Sequence, residues 1–275
     1  MNTPQHSPLA FIGGGNMASA IIGGLIQKGL PASLIDVVEP YAPQREKLNS
    51  QFPGVTVLDA PGAALARASL VVWAVKTQTF KDASLACAGH TTGALHLSVA
   101  AGIRSDSMAV WLGTERIVRA MPNTPALVGQ GMTGLYARPG ASAADRAQVE
   151  AVVATTGAHV WLRQESDLDT VTALSGSGPA YVFYFLEAMR EAGIQMGLDA
   201  ATAQKLAIGT FVGASALAAA SEDPPEVLRE RVTSKGGTTY AALTSMESAG
   251  IKAAFVKAMH AAQVRAKELG DEFGA

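Results

Sequence analysis

The sequence predicts an α/β protein in which a doubly wound, mostly parallel sheet is followed by an all-helical C-terminal domain. In the first part of the chain, short apolar runs alternate with segments of helical spacing, the pattern of strands joined by helical crossovers. From about Asp167 onward, only helical spacing remains. The 275 residues, of which 48% are hydrophobic and 16% charged, suffice for two modest domains with sizeable cores. We therefore expect one domain over residues 1–164 and a second over residues 165–275.

The first domain begins with the apolar run Leu9–Ile12, which ends in glycines and predicts a buried strand. Asn16–Gly29 then has apolar residues at helical spacing and a terminal glycine, which predicts a helix. Leu70–Val75 is wholly apolar and is the clearest buried strand. The other predicted strands are Leu34–Val38, Val55–Val57, Ala94–Val99, Arg116–Ala120, Met132–Ala137 and His159–Leu162. The other predicted helices are Tyr41–Gln51, Pro61–Arg67 and Ser142–Thr155.

The second domain has four segments of helical spacing, Val182–Met196, Ala200–Ala220, Tyr240–Ser248 and Ile251–Leu269. Ala200–Ala220 is apolar nearly all round, and such a helix has to be buried on every side. The second domain is too small to surround this helix by itself. We therefore expect a second subunit to help, which makes this domain the dimerisation domain.

Composition excludes several classes of function. The net charge is -2 and no Lys/Arg run is present, so a nucleic-acid partner is not expected. Cys87 is the single cysteine and the five histidines form no H-x-x-x-H pair, so we expect neither a disulfide framework nor a metal site. The uncharged run 83–103 contains histidines and threonines that lipid would penalise, and the N-terminus has no leader pattern. We expect a cytoplasmic protein that does not enter a membrane.

A dinucleotide fingerprint follows the first strand. Gly13-Gly14-Gly15-Asn16-Met17-Ala18 fits G-x-G-x-x-A between the strand that ends at Ile12 and the first helix. Small residues allow the tight turn and the close approach of a pyrophosphate, and the helix start supplies oriented N–H groups. Glycine turns are common, so the spacing alone is weak evidence. Its position between a strand and a helix predicts a Rossmann-type domain with Ile12 through Ala18 at the cofactor.

Three further residues bear on the cofactor. Glu39 ends the second strand, where an acid usually binds the ribose hydroxyls and favours NAD over NADP, although a solvated carboxylate is the alternative. Arg45 could hold a 2′-phosphate or be a surface helix residue. Lys76 follows the LVVWAV strand at the carboxyl edge of the sheet and could contact the ribose or phosphate, or be a surface lysine. The sequence therefore leaves NADPH or NADH open as the cofactor.

Three polar motifs occur in the rest of the chain. Met121–Ala126, MPNTPA, is a proline-stiffened loop that presents Asn123 and Thr124 as a wall of the nicotinamide site, unless it is an ordinary loop. Ser175–Tyr181, SGSGPAY, starts a long helix with either free N–H groups for a ligand or a simple cap. Val232–Thr239, VTSKGGTT, places two glycines and hydroxyls before a helix, which suits a carboxylate, with a capped turn as the alternative.

These motifs together resemble the Δ1-pyrroline-5-carboxylate reductase family. The matching stretches are FIGGGNMA (Phe11–Ala18), AVK (Ala74–Lys76), AAG (Ala100–Gly102), R-x-MPNTPA (Arg119–Ala126), SGSGPAY and VTSKGGTT, in the family's order. The resemblance implies reduction of a cyclic imino acid, Δ1-pyrroline-5-carboxylate, to L-proline with NADPH or NADH, the last step of proline biosynthesis. It also implies a homodimer with interleaved helical domains, and larger assemblies such as a decamer.

The resemblance assigns roles by motif. Gly13, Gly15 and Ala18 would hold the pyrophosphate, and Asn123 and Thr124 would line the nicotinamide side. The residues that would border the cofactor are Ala74, Val75, Lys76, Ala100, Ala101 and Gly102. The residues that would face the substrate are Glu165, Ser234, Gly236, Gly237, Thr238 and Thr239.

The sequence contains no His or acid that clearly stands ready as a proton donor. Thr239 is therefore the candidate catalytic residue, as the group that hydrogen-bonds the imine nitrogen. The chain departs from the family pattern at Thr77, where proline is usual, at Pro61, where asparagine often meets the ribose, and at Lys235, before the two glycines.

Two other functions are compatible with this architecture. A 3-hydroxyacid dehydrogenase also combines a Rossmann-type domain with helices, but it would have a catalytic lysine on the long helix, and Val182–Met189 has none. A nucleotide-binding regulatory module without turnover would not need two motifs of glycines and hydroxyls in the helical half.

Overall fold

The computed structural model describes residues 7–273. Residues 1–6, in which the sequence shows no leader pattern, lie outside the described residues. The strands are β1 Leu9–Ile12, β2 Ile35–Val38, β3 Thr56–Leu58, β4 Leu70–Trp73, β5 Leu95–Ser98, β6 Ile117–Met121, β7 Gly131–Ala137 and β8 Gly157–Trp161. They form one eight-stranded sheet in the order β3-β2-β1-β4-β5-β6-β7-β8. All neighbours are parallel except β6 and β7, which are antiparallel.

Helices cover both faces of this sheet. The helices of the sheet region are α1 Asn16–Gln27, α2 Ala42–Gln51, α3 Phe80–Cys87, α4 Ser105–Leu112 and α5 Ala143–Val153. Leu9 and Phe11 of β1 pack in one core with α1 and α5, and Ala10 and Ile12 pack in a second core with α3 and α4. Successive strand residues point to opposite faces, so a wholly apolar strand such as β1 or β4 has to be buried on both. The predicted doubly wound, mostly parallel sheet is confirmed.

Two helices of the sheet region were not predicted. α3 and α4 have eight residues each, about two turns, which is too short for apolar residues to show a clear helical period. The helix predicted at Pro61–Arg67 is a short 3-10 helix, Ala63–Arg67.

His96 lies within β5 and is almost completely buried. Its Nδ1 accepts a hydrogen bond of 3.0 Å from Nε1 of Trp73. Burial disfavours the charged imidazolium and lowers the pKa of His96 to about 4. The ring is therefore neutral near pH 7 and is not a proton donor for chemistry.

The chain divides into two compact units, one of Met1–Ser177 with Ala262–Ala275 and the other of Gly178–Ala261. The predicted division at residues 164 and 165 remains a prediction. The helices after the sheet are α6 Asp167–Val171, a π-helical turn Thr172–Gly176, α7 Gly178–Gln195, α8 Ala200–Ala219, α9 Pro225–Arg231, α10 Thr238–Ser248 and α11 Ile251–Phe273. The predicted helical character of this half is confirmed.

The second unit leaves much of its apolar surface uncovered. Within α8, Ala203 and Ala207 are buried, and a Cβ added to Gly193 of α7 would lie 2.8 Å from that of Ala203. Val212 of the same helix is 65% exposed and Leu217 is 60% exposed. Burying large side chains of this kind stabilises a protein by about 1.5–3 kcal/mol each, so a surface of this composition is typical of a subunit interface.

None of the helices within residues 7–273 is long and apolar enough to cross a membrane.

Candidate active site

The candidate site of the first unit lies at the carboxyl edge of the sheet. The strand order reverses between β1 and β4, and ligands of open α/β sheets bind at such a switch point, outside the carboxyl ends of the strands. Five strands end just before the predicted cofactor residues: β1 before Gly13, β2 before Glu39, β4 before Ala74, β5 before Ala100 and β6 before Asn123. The fold therefore brings five separate sequence motifs to one edge.

Two glycines pack closely under this edge. Gly13 has a φ of +92°, and a Cβ there would lie 2.6 Å from the carbonyl oxygen of Ala74. A Cβ on Gly14 would lie 2.4 Å from Cδ1 of Leu48. The N–H of Gly13 donates to the carbonyl of Val38 at 2.8 Å. The turn thus contacts the ends of both neighbouring strands, which requires a residue without a side chain at Gly13.

Gly15 differs from the two glycines before it. It is exposed, and a Cβ there would meet no protein atom within 4 Å. It is the N-cap of α1 and makes no side-chain capping bond. The first N–H groups of a helix have no acceptor within the helix, and they favour an anion. Asn16 is exposed, Met17 is half-buried and Ala18 is buried against the sheet.

Glu39 is half-buried at the end of β2, and its carboxylate contacts the glycine turn. Oε2 accepts a hydrogen bond of 2.9 Å from the N–H of Gly14, and Oε1 accepts one of 2.9 Å from the N–H of Tyr41. Arg45 of α2 donates through Nη1 to the carbonyls of Glu39 at 3.0 Å and Pro40 at 2.6 Å. The guanidinium of Arg45 therefore contacts the backbone of the loop that begins with Glu39, the acid that bears on the choice of cofactor.

The loops after β4 and β5 are also in contact. The hydroxyl of Thr77 donates to the carbonyl of Ala101 at 2.8 Å. Gly102 has a φ of +72° and lies against Leu269 of α11. Lys76 is exposed at this edge, whereas Ala74 and Val75 are half-buried.

Asn123 holds the loop after β6 in place. Its Nδ2 donates to the carbonyl of Ser175 at 3.0 Å, and its Oδ1 accepts from the N–H of Met132 at 2.9 Å. Thr124 follows as an exposed residue at the start of a short 3-10 helix. The amide thus joins the MPNTPA motif to the SGSGPAY motif, which the sequence alone did not indicate.

Glu165 is bound by groups from two other elements. Oε1 accepts from Nη1 of Arg119 at 2.7 Å and from the N–H of Ser105 at 2.6 Å, and Oε2 accepts from the hydroxyl of Ser105 at 2.6 Å. The Arg119 side chain is only 6% exposed. A buried charge needs a partner, so this carboxylate stabilises Arg119 within the first unit. Its predicted role toward substrate remains a prediction.

The other five predicted substrate residues meet in one turn of the second unit. Gly236 has a φ of +76°, and the N–H of Gly237 donates to the carbonyl of Ser234 at 3.0 Å. A Cβ on Gly237 would lie 2.6 Å from the hydroxyl oxygen of Ser234. α10 begins at Thr238 without a side-chain cap, and Thr239 is its half-buried second residue. Free N–H groups and hydroxyls at one place suit a carboxylate.

Chemically, the part of the chain that the structure describes contains no group of three or more His, Cys, Asp or Glu side chains that could hold a metal ion. Burial raises the pKa of the Cys87 thiol to about 11, so it is not a ready nucleophile. The glycine turn, the helix start and the switch point instead define a dinucleotide-binding protein of the Rossmann type.

The comparisons with known proteins identify the family. The family described as "Pyrroline-5-carboxylate reductase dimerisation" matches residues 165–269, and that described as "NADP oxidoreductase coenzyme F420-dependent" matches residues 8–102. The pyrroline-5-carboxylate reductase of Pseudomonas aeruginosa is 44% identical over 276 residues, which cover 100% of each chain. This chain therefore belongs to the pyrroline-5-carboxylate reductase family.

Solved structures of the same family are similar to this chain over nearly its whole length. The Coxiella burnetii pyrroline-5-carboxylate reductase superposes with a TM-score of 0.88 at 37% identity, covering 96% of this chain and 98% of that one. The Plasmodium falciparum pyrroline carboxylate reductase, whose structure has NADP bound, superposes with a TM-score of 0.86 at 26% identity, covering 97% and 99%.

These findings confirm the predicted class, reaction and type of cofactor. The chain is an oxidoreductase that reduces Δ1-pyrroline-5-carboxylate to L-proline with NAD(P)H, in proline biosynthesis, and its helical part is a dimerisation domain. The hydroxyacid dehydrogenase and the regulatory module are not favoured.

Proposed function

We propose that the two halves of this chain divide the reduction between them. The carboxyl edge of the sheet holds NAD(P)H, and the turn at residues 234–239 holds the carboxylate of the imino acid. The observation that carries the proposal is the uncapped start of α1 at Gly15, where the protein leaves open space beside free N–H groups. When bound, the cofactor supplies the hydride, and the protein binds and orients the reactants.

The first unit fits a dinucleotide along this edge. Residues 12–18 would receive the pyrophosphate, because Gly13 and Gly14 pack tightly beneath while Gly15 stays open. The loops at 74–76 and 100–102 would border the rest of the cofactor, and Asn123 and Thr124 would line the nicotinamide side. The bonds from Asn123 to Ser175 and Met132 would keep that wall fixed.

The preference between NADPH and NADH depends on Glu39 and Arg45. Both carboxylate oxygens of Glu39 already accept backbone N–H groups, but each keeps a lone pair with which to accept a ribose hydroxyl. Arg45 has further donors besides the Nη1 that contacts Glu39 and Pro40, and these suit a 2′-phosphate. We propose that NADH is usable beside NADPH, with less than a hundredfold preference in kcat/KM.

At the turn in the second unit, the N–H of Gly236 would bind the substrate carboxylate, with help from the hydroxyls of Ser234 and Thr238. The N–H of Gly237 would join it by exchanging its present bond to the carbonyl of Ser234 for one to the carboxylate. Thr239 would hydrogen-bond the ring nitrogen, directly or through a water. An iminium accepts hydride better than a neutral imine, so a proton already on the ring nitrogen of the substrate would promote hydride transfer. Glu165 would also face the substrate, from its position beside Arg119.

We also propose a homodimer formed through the helical unit, with a decamer as the larger assembly, in the cytoplasm and without nucleic acid as partner. The exposed apolar residues of α8 support the dimer.

The reaction is tested by following NAD(P)H oxidation with Δ1-pyrroline-5-carboxylate. We expect turnover with the imino acid and none in the reverse direction with 3-hydroxy acids and NAD(P)+. Oxidation of hydroxy acids, or binding of nucleotide without any turnover, would contradict the proposed reaction.

Replacing Gly15 tests the cofactor site. Gly15→Val should abolish NAD(P)H binding in a titration, because its side chain would fill the space left for the pyrophosphate, while its Cβ would meet no protein atom within 4 Å. Gly89→Val is the matched control, since a Cβ there also meets nothing within 4 Å, at the opposite edge of the sheet before β5. The proposal fails if Gly15→Val keeps wild-type affinity with an unchanged unfolding temperature.

Replacing Thr239 tests the chemistry. Thr239→Val keeps the shape and removes the hydroxyl, and we expect turnover at saturating cofactor to fall by about 10–100-fold. Thr239→Ala should lower turnover by the same factor. Thr244→Val, on the exposed surface of the same helix, should keep wild-type turnover. Wild-type turnover in Thr239→Val would leave Thr239 as a helix residue without a catalytic role.

Light scattering tests the assembly. We expect a mass of at least twice the 28.3 kDa of one chain at micromolar concentration. A decamer would have ten times the mass of one chain. Val212→Asp on α8 should lower the mass, because it would bury a charge in the interface. Val110→Asp should not, because Val110, although 80% exposed, lies on α4 of the first unit, outside the dimerisation domain. A stable wild-type monomer would refute the dimer.

A further inference from the structure

Thr77 connects two loops that follow neighbouring strands. It comes directly after Lys76, at the end of the loop that follows β4, and its Oγ1 donates a hydrogen bond of 2.8 Å to the carbonyl of Ala101. Ala101 lies in the loop after β5, which pairs with β4. The bond therefore fixes the spacing of two loops at the carboxyl edge of the sheet, and it is partly shielded from water.

The loop after β5 has further contacts of its own. The N–H of Ala100 donates to the hydroxyl of Ser98 at 3.3 Å. Gly102 has a φ of +72°, and a Cβ there would lie 3.3 Å from the Cβ of Leu269. This loop is therefore held by packing on α11 as well as by the hydroxyl of Thr77.

The loop after β4 is in turn tied to the glycine turn. The N–H of Ala74 donates to the carbonyl of Ile12 at 2.8 Å, and the carbonyl of Ala74 lies against Gly13. A continuous set of contacts therefore runs from the glycine turn through Ala74 and Thr77 to Ala101.

We propose that Thr77 is a positioning residue for the nicotinamide cofactor. This inference rests on the proposed cofactor site, and it adds a residue that does not itself contact the cofactor. The hydroxyl keeps the loop at residues 100–102 in the geometry that borders the cofactor before the cofactor arrives. Without the bond, binding has to order that loop, which weakens affinity and leaves the bound complex unchanged. Thr77 therefore acts on the affinity for NAD(P)H and not on the hydride-transfer step.

The test compares threonine variants within one turn. Thr77→Val keeps the shape and removes the donor, and it should raise both the Kd and the KM for NADPH by about 3–10-fold, the effect of one hydrogen bond. Its kcat should stay within about twofold of the wild type. Thr77→Ser restores the donor and should restore the KM. Thr79→Val is the matched control, because the hydroxyl of Thr79 bonds the carbonyl of Lys76 at 3.1 Å within its own turn, and the N–H of Thr79 keeps a bond of 3.0 Å to the same carbonyl without it. It should bind as the wild type does.

Four outcomes would overturn the inference: wild-type affinity in Thr77→Val, an equal loss in Thr79→Val, no rescue by Thr77→Ser, or a loss confined to kcat. Wild-type protein that binds neither NADPH nor NADH would instead contradict the proposed cofactor site itself. Titration of the wild type in the same experiment therefore separates the two failures.

Discussion

The site depends first on the close approach of β1 and β4 at the point where the strand order reverses. Gly13 lies so near the carbonyl of Ala74 that a Cβ would come within 2.6 Å of it. This contact directs the chain from β1 over the edge of the sheet and into α1, and it leaves Gly15 and the uncapped helix start facing open space. A rigid core on both faces of the sheet holds that geometry, which a ligand that depends on backbone N–H groups requires.

Much of the first unit could be predicted because its signals are local. A short, wholly apolar run such as Leu70–Val75 favours a buried strand, and a glycine turn between a strand and a helix favours a dinucleotide. α3 was not predicted because its eight residues are too few to show a clear helical periodicity of apolar residues. The partners of Glu165 could not be predicted either, since Arg119 and Ser105 lie 46 and 60 residues away and meet it only in the fold.

The helical unit shows a different limit of sequence reasoning. The apolar character of Ala200–Ala220 predicted a helix that needs a partner, and the structure has that helix with Val212 and Leu217 exposed in the single chain. The glycines and hydroxyls at 234–239 form the turn that the sequence indicated. The hydrogen bond of Thr77 depends on the rotamer of one side chain, and no sequence pattern specifies such a detail.

The most direct test of this account is a crystal structure of the chain with NADPH bound. We expect the pyrophosphate on the backbone N–H groups at Gly15 and the start of α1, with the loops at 74–77 and 100–102 unchanged in conformation. A pyrophosphate bound away from the start of α1 would contradict the claim that this edge has its binding conformation before the cofactor arrives. A different conformation of these loops in the complex would contradict it equally.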